Sequence, residues 1–191
     1  MKRVAVAAAT AILLLARPGP AAADPAATKE AMVLLRILSY DRYVSRRAKS
    51  HVVIGVVRDD GDPASRRAAS NMAEALRNTS RGVTVAGKPV AIVEIAAGDL
   101  FRDRLRDLEV TAIYLSSGLD GELDQLNEAA RAHPCLTFTD RIAYMRRGVA
   151  VALGSDDRQR RITISLDLEA VRAQGAKLSA ELLHVAEVVR R

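Results

Sequence analysis

Cysteine and tryptophan are almost absent from this sequence. Its 191 residues include one cysteine, no tryptophan, four tyrosines and two phenylalanines. The lone cysteine, Cys135, excludes an intramolecular disulfide. It stands in the stretch CLTFTD, which has the pattern of a strand, and a buried thiol there packs as a small apolar group. An intermolecular disulfide or a reactive thiol is the alternative for this residue.

Motifs of catalysis and of metal binding are also missing. The sequence contains no G-x-S-x-G, no Walker A sequence and no G-x-G-x-x-G. None of the three histidines has a second ligand at metal-binding spacing. The acidic pairs Asp59-Asp60 and Asp156-Asp157 lie in polar turns, without apolar neighbours that would separate their pKa values. We therefore expect a protein that is not an enzyme and that holds no metal or cofactor.

The first 26 residues, MKRVAVAAATAILLLARPGPAAADPA, have the three parts of a secretory signal peptide. Lys2 and Arg3 supply a positive start, residues 4–16 a short apolar run, and residues 21–23 the small side chains that signal peptidase needs. The run is shorter than the roughly 20 residues that span a bilayer. We expect cleavage after Ala23, which places the mature domain, residues 24–191, in the periplasm. A buried N-terminal helix of a cytoplasmic protein is the alternative.

The charge of the chain does not indicate a nucleic-acid partner. The formal net charge is +6, and loss of the signal peptide removes three basic and no acidic residues, which leaves +3. Runs of five or six like charges are absent, and the arginine pairs are scattered. Such a modest excess does not call for nucleic acid or another polyanion.

Apolar runs alternate with helical patterns along the mature chain. The runs lie at 51–57, 90–95, 111–115 and 135–139, and the helical patterns at 28–44, 65–77, 98–108 and 119–133. This alternation predicts a single α/β domain of three layers, with a mainly parallel sheet and helices on both faces. Thr28 is the expected N-cap of the first helix. Two further strands, 149–153 and 161–165, flank the polar stretch GSDDRQR and predict an antiparallel hairpin.

Two helices are predicted to end the chain. Asp167 is placed to cap a helix over 168–174, and Gly175 fits the left-handed position that ends it. Ser179 is placed to cap the final helix, whose apolar stripe is Leu178, Leu182, Leu183, Ala186 and Val189. A phosphate loop would need glycines between a strand and a helix. A single glycine between two helices indicates a corner instead.

The same corner resembles the C-terminal signature of the YfiR/HmsC-like family of periplasmic proteins. The signature, D-x-x-x-A/V-x-x-x-G-x-K-L-S-x-x-L-L-x-x-A, stands here as Asp167, Val171, Gly175, Lys177, Leu178, Ser179, Leu182, Leu183 and Ala186. The stretches KEAMVLLRILSYDRY, GKPVAIVEI, AIYLSSGL and CLTFTD are similar to segments of the family in the same order. The resemblance covers residues 28–190, and its motifs concern packing and capping.

The resemblance implies regulation rather than catalysis. Proteins of this kind bind the periplasmic sensor of an inner-membrane diguanylate cyclase, and thereby keep cyclic-di-GMP low and restrain biofilm formation. The chain departs from the family pattern in its single cysteine, which cannot form the family's redox-responsive disulfides, and in the absence of a Trp-Pro after the first helix. A periplasmic small-ligand-binding module, serving a transporter or a histidine kinase, is the other hypothesis. A homodimer and a small ligand stay open as further partners.

Candidate site residues follow from the predicted sheet. Ligands of open α/β sheets bind outside the carboxyl ends of the parallel strands, where this sequence presents Arg58, Asp59, Ser116, Ser117 and Asp140. The helix after Ser117 would offer backbone N–H groups to an anion. The alternative is that Ser117 or Asp120 caps that helix and Asp140 caps the next turn.

A protein partner would need an apolar patch at the surface of the domain. The end of the first helix supplies Tyr40, Tyr43 and Val44 as candidates for such a surface.

Overall fold

The computed structural model describes residues 24–98, 101–156 and 161–189. The expected signal peptide, residues 1–23, lies outside the described residues. The helices are α1 (Pro25–Ser39), α2 (Val44–Arg47), α3 (Pro63–Thr79), α4 (Phe101–Asp107), α5 (Leu123–Ala132), α6 (Ile142–Met145), α7 (Leu168–Ala173) and α8 (Ala180–Leu183). The strands are β1 (Val52–Arg58), β2 (Thr84–Val85), β3 (Lys88–Ala96), β4 (Val110–Leu115), β5 (Leu136–Thr139), β6 (Val151–Asp156), β7 (Arg161–Leu166) and β8 (Glu187–Val188).

All eight of these strands join one sheet, in the order β2-β3-β1-β4-β5-β6-β7-β8. Strands β3, β1, β4, β5 and β6 run parallel. β2 pairs with β3 and β7 with β6 in antiparallel fashion, and β8 runs parallel to β7. The predicted α/β fold, with its mainly parallel sheet and its antiparallel hairpin near the C-terminus, is confirmed.

Helices cover both faces of the sheet because side chains alternate along each strand. In β4, Ala112 and Tyr114 point into a core shared with α1, α3 and α7. Ile113 and Leu115, on the same strand, point into the opposite core, which α4 and α5 complete. β4 is buried along its whole length, as expected for a central strand of a parallel sheet.

The first helix begins earlier than the sequence pattern predicts. Asp24 is the N-cap: its carboxylate accepts the N–H of Ala26 at 3.0 Å, and Pro25 occupies the first helical position. A proline is well suited there because its missing N–H would have no partner in the first turn. Thr28, the predicted cap, lies inside the helix, and its hydroxyl donates to the carbonyl of Asp24. The prediction for Thr28 was wrong.

The predicted corner near the C-terminus is present, but the final helix is shorter than expected. The carboxylate of Asp167 accepts the N–H of Ala170 at 2.9 Å and so caps α7, and Gly175 has φ +70°. Ser179 stands at the N-cap of α8 without a capping side-chain hydrogen bond. α8 has only four residues, and the chain then turns into β8; the next residue, Val189, donates its N–H to the carbonyl of Leu166. No helix within the described ranges is long and apolar enough to cross a membrane.

Candidate functional site

At the carboxyl ends of β1 and β4, the loops that follow the two strands are in close contact with each other. The sheet order places β1 between β3 and β4, the arrangement in which ligands of doubly wound folds bind. Ser116, which is 1% exposed, donates to the carbonyl of Val57 at 2.8 Å and lies 3.0 Å from the hydroxyl of Ser65. Ser65 also accepts the N–H of Asp59 at 3.0 Å. Ser116 therefore ties the end of β4 to β1 and to the first turn of α3, and it does not face solvent.

Gly118 shows how closely these loops approach each other. It has φ +88°, and a Cβ at this position would lie 2.5 Å from a carboxylate oxygen of Asp62. Only a glycine fits both the backbone conformation and the space. The loop after β4 is thus pressed against the start of α3.

The other predicted residues at these strand ends have local partners. Arg58 forms ion pairs with Asp60 at 2.8 Å and Glu94 at 3.6 Å. The carboxylate of Asp59 accepts the N–H of Gly61 at 2.7 Å, as in an Asx turn. Ser117 is half-buried. The sequence predicted these residues as one ligand site. In the structure, the polar groups of Arg58, Asp59 and Ser116 instead form ion pairs and hydrogen bonds within the protein.

The helix after Ser117 starts later than predicted. α5 begins at Leu123 with Glu122 at its N-cap, so neither Ser117 nor Asp120 caps it. Asp120 instead accepts the hydroxyl of Tyr144 at 3.1 Å, and Tyr144 accepts the N–H of Leu119 at 3.1 Å. Asp140 does not cap α6 either, because the N-cap there is Arg141.

Asp140 belongs to a cluster that the sequence did not reveal. Glu30 of α1, Tyr114 of β4 and Asp140 after β5 converge, and the Tyr114 hydroxyl donates to the Glu30 carboxylate at 3.3 Å. Glu30 is 7% exposed and Tyr114 4%. Burial raises the pKa of Glu30 to about 7, and the charge of Asp140 adds to this effect. This acidic cluster therefore changes its charge near neutral pH.

Burial also raises the pKa values of the other two members of the acidic cluster, Tyr114 and Asp140. Burial raises the pKa of Tyr114 well above its usual range, so the phenol stays a neutral donor. Although Asp140 is exposed as a residue, the partial burial of its carboxyl group raises its pKa. One sequence signal pointed to this place: a tyrosine within a buried strand needs a partner for its hydroxyl. The identity of that partner, Glu30, depends on how α1 docks on the sheet.

A second cluster ties the end of α1 to the family signature. Asp41 is buried, and its carboxylate lies 2.5 Å from the guanidinium of Arg47. The same carboxylate accepts the N–H of Lys177 at 2.9 Å and that of Tyr43 at 3.0 Å. Arg47 in turn donates to the carbonyl of Gly175 at 2.9 Å. The signature residues Gly175 and Lys177 thus serve packing, by holding the last helices against the end of α1.

The three predicted partner-surface residues lie beside this corner, but they differ in exposure. Val44 is 1% exposed and packs in the core, so its assignment to a partner surface was wrong. Tyr40 is half-buried against the same core. The ring of Tyr43 is half-buried and lies 4.5 Å from the Arg46 guanidinium carbon and 5.8 Å from the Lys177 ammonium. Two cations therefore contact one aromatic ring.

The leucines of the signature also act in packing. Leu182 is 2% exposed, and Leu178 and Leu183 pack partly buried against the core shared by α1 and α3. Gln174, one residue before Gly175, is buried, and its side chain accepts the N–H of Thr137 and donates to the carbonyl of Gly148. Within the part of the chain that the structure describes, no group of three or more metal-ligating side chains occurs.

A comparison with models of known protein families shows which family this chain belongs to. Residues 27–187 match the family described as YfiR/HmsC-like. This chain belongs to the YfiR/HmsC-like family. The family consists of periplasmic, non-enzymatic regulators. No curated protein matches the chain significantly in sequence.

Solved structures share the fold of this YfiR/HmsC-like protein. A conserved domain protein from Vibrio cholerae O1 biovar El Tor has a TM-score of 0.60 at 16% identity, over 86% of this chain and 60% of that chain. The ABC domain from Streptococcus pneumoniae in complex with L-Trp gives 0.58 at 9%, over 85% and 60%. A substrate-binding protein with adhesive properties from Clostridium difficile, in its ligand-free open form, gives 0.57 at 11%, over 85% and 59%. At these identities the likeness shows the fold alone, and this chain spans about three-fifths of each structure.

Proposed function

We propose that this YfiR/HmsC-like protein is exported to the periplasm and restrains an inner-membrane signalling protein there. It binds the periplasmic sensor part of an enzyme of the diguanylate cyclase type and lowers cyclic-di-GMP output without catalysing a reaction itself. The observation that carries this proposal is the family match over residues 27–187. The buried contact between Ser65 and Ser116 and the close approach of Gly118 to Asp62 occupy polar groups at the ends of β1 and β4, which supports a role that depends on surface contacts rather than on turnover of a substrate.

The lone cysteine limits how such a protein is released from its partner. Cys135 is fully buried, and burial raises the pKa of its thiol to about 12. Thiol–disulfide exchange needs an accessible thiolate. The proposed regulator therefore acts without the disulfide redox sensing that the family resemblance implies.

The test is the cellular level of cyclic-di-GMP in a deletion strain. The strain is complemented either by the full chain or by one that lacks residues 1–23, at matched expression. We expect deletion to raise cyclic-di-GMP and only the full chain to restore it. An unchanged level in the deletion strain refutes the regulatory role, and restoration by the truncated chain refutes the requirement for export.

A second function, binding of a small ligand for a transporter or a histidine kinase, is favoured by one observation. The acidic cluster of Glu30, Tyr114 and Asp140 lies at the carboxyl end of β4 and β5, where ligands of open α/β sheets bind. A thermal-shift panel of amino acids, nucleotides and cell-wall fragments tests this function. A ligand whose stabilisation disappears in Glu30→Gln would support it, and a flat panel would exclude these ligand classes.

A further inference from the structure

Two basic side chains contact one tyrosine ring at the surface of the corner, and a third basic residue precedes that tyrosine in the chain. We name this surface, formed by Arg42, Tyr43, Arg46 and Lys177, the cationic platform. Arg46 and Lys177 both contact the Tyr43 ring, although Lys177 is more than 130 residues distant in sequence. All three basic residues are exposed. The fold thus brings cations from both ends of the mature chain to one aromatic ring.

The cationic platform is held in place by the interior of the protein. The N–H of Arg42 donates to the carbonyl of Lys177 at 2.9 Å, and the N–H of Lys177 donates to the buried carboxylate of Asp41 at 2.9 Å. Stacking on Tyr43 fixes the guanidinium of Arg46 as well. A guanidinium held in this way loses less conformational freedom when it binds a carboxylate.

Arg46 and Lys177, the two cations on the Tyr43 ring, have no ion-pair partner within the described residues. No described carboxylate forms an ion pair with Arg42, Arg46 or Lys177. Asp41, whose buried carboxylate accepts the N–H of Lys177, is paired with Arg47. The exposed carboxylate of Glu181 lies near Arg42, so the uncompensated charges of the platform are those of Arg46 and Lys177. Like charges held close together repel each other, and an anionic partner relieves this repulsion.

A small apolar cleft adjoins the platform. Its volume is about 170 Å³, and Lys177 and Arg172 stand among its lining. The other lining residues are apolar: Leu168, Val171, Ala176, Leu178 and Leu183. An apolar pocket beside fixed cations suits a peptide segment in which acidic residues flank an apolar one.

We propose that the cationic platform is the docking surface for an acidic segment of a protein partner, with carboxylates on Arg46 and Lys177 and an apolar side chain in the adjoining cleft. The identity of the partner rests on the proposed function, whereas the chemistry rests on the platform alone. Fixed guanidinium geometry matches planar carboxylates. A lipid surface would instead be bound by a broad basic and apolar face.

The direct test uses an acetylated, amidated peptide with four glutamates around one leucine as the probe. Chain purified from the periplasm is titrated with it, and the amide and arginine side-chain NMR signals are followed. We expect shifts confined to the platform and its cleft, which shrink as salt rises. Arg46→Glu/Lys177→Glu should weaken binding at least tenfold, and Arg46→Gln/Lys177→Gln should do so with less effect on the fold.

The matched control places the same charge change elsewhere. Arg67 on α3 and Arg104 on α4 are exposed, and Arg67→Glu/Arg104→Glu should bind the peptide as the native chain does. Equal weakening in this control would mean that only net charge matters, and would overturn the proposal. Binding of phosphatidylglycerol vesicles without binding of the peptide would also overturn it.

The cellular arm separates this proposal from the proposed function. Each variant complements the deletion strain at equal periplasmic abundance, and cyclic-di-GMP is measured. We expect the platform variants to leave the level as high as in the deletion strain and the control variant to restore it. Restoration by the platform variants overturns the platform proposal and leaves the function standing. A level that deletion does not change refutes the function, and the peptide titration then decides on the platform by itself.

Discussion

The carboxylate of Asp41 and the guanidinium of Arg47 meet at 2.5 Å in a corner where their side chains are 0% and 8% exposed. Each of them also binds the segment that precedes α8: Asp41 accepts from Lys177, and Arg47 donates to Gly175. A buried ion pair that is broken on one side leaves an uncompensated charge. The Asp41–Arg47 ion pair therefore joins the end of α1 to the segment that precedes α8, and each of these segments needs the other for its position.

Replacement of Asp41 by alanine should strongly destabilise the protein. We expect Asp41→Ala to lower the free energy of unfolding by about 3–5 kcal/mol, because it leaves Arg47 buried without its anion. Urea unfolding of native and variant protein measures this change. Arg67→Ala, at an exposed position of α3, is the control and should shift stability by no more than about 0.5 kcal/mol. A loss below about 1 kcal/mol for Asp41→Ala would contradict the prediction.

Gly175 is required both by its backbone conformation and by its neighbour. Its φ is +70°, and a Cβ there would lie 2.9 Å from the Cβ of Pro134. Gly82 has nearly the same φ, +71°, but open space around it. We expect Gly82→Ala to cost about 1–2 kcal/mol, from the left-handed conformation alone, and Gly175→Ala to cost clearly more. Equal losses of stability for the two variants, in thermal or urea unfolding, would show that Pro134 moves aside without a measurable cost.

Stability should depend on pH through Glu30. The carboxyl group has a pKa of about 7 in the folded protein, raised by burial, against 4.5 for an ordinary glutamate. The folded state therefore binds the proton more tightly than the unfolded chain does. This contribution to stability is fully present below about pH 4.5, falls as the pH rises to about 7 and then stays level. Its full size is roughly 3 kcal/mol.

Glu30→Gln removes this titration and isolates it from other groups. Native protein should become less stable relative to the variant between pH 5 and pH 8, as measured by urea unfolding across that range. Asp140→Asn should reduce the effect, because the charge of Asp140 also raises the pKa of Glu30. Parallel stability curves for native protein and Glu30→Gln would count against the acidic cluster.

Cys135 should be inert in the native protein. Burial raises its pKa to about 12 from an ordinary value of 9.0, which reduces the thiolate at pH 8 by about a thousandfold. Iodoacetamide should alkylate the thiol in urea but not in native buffer, as mass spectrometry shows. An oxidised native sample should contain no disulfide-linked dimer. Rapid native labelling would show that β5 opens readily.

The sequence pattern predicted the strands, helices and layers of this fold better than it predicted the contacts between individual side chains. Alternating apolar runs identify buried strands because each strand reports its own environment. Glu30 was not predicted as part of a site, since the sequence pattern placed it in the first turn of the helix, where a glutamate is usually solvated; the docking of α1 on the sheet buries it. Val44 was assigned to the surface because the sequence pattern placed it at the end of the first helix. In the structure it begins a separate short helix, α2, which turns its side chain into the core. β8 was not predicted because a strand of two residues has no recognisable alternation of apolar and polar side chains, and the apolar spacing around it predicted a helix.

The corner also determines when the domain can finish folding. The bond from Lys177 to Asp41 joins residues 136 positions apart, and the bond from Arg47 to Gly175 spans 128. Contacts of such long range form late, because a large loop must close before they contribute. During synthesis from the N-terminus, the end of α1 therefore cannot form these bonds until the segment around residues 175–177 has been made. Truncation before residue 175 should leave Asp41 and Arg47 solvated and the domain open to proteolysis at α1.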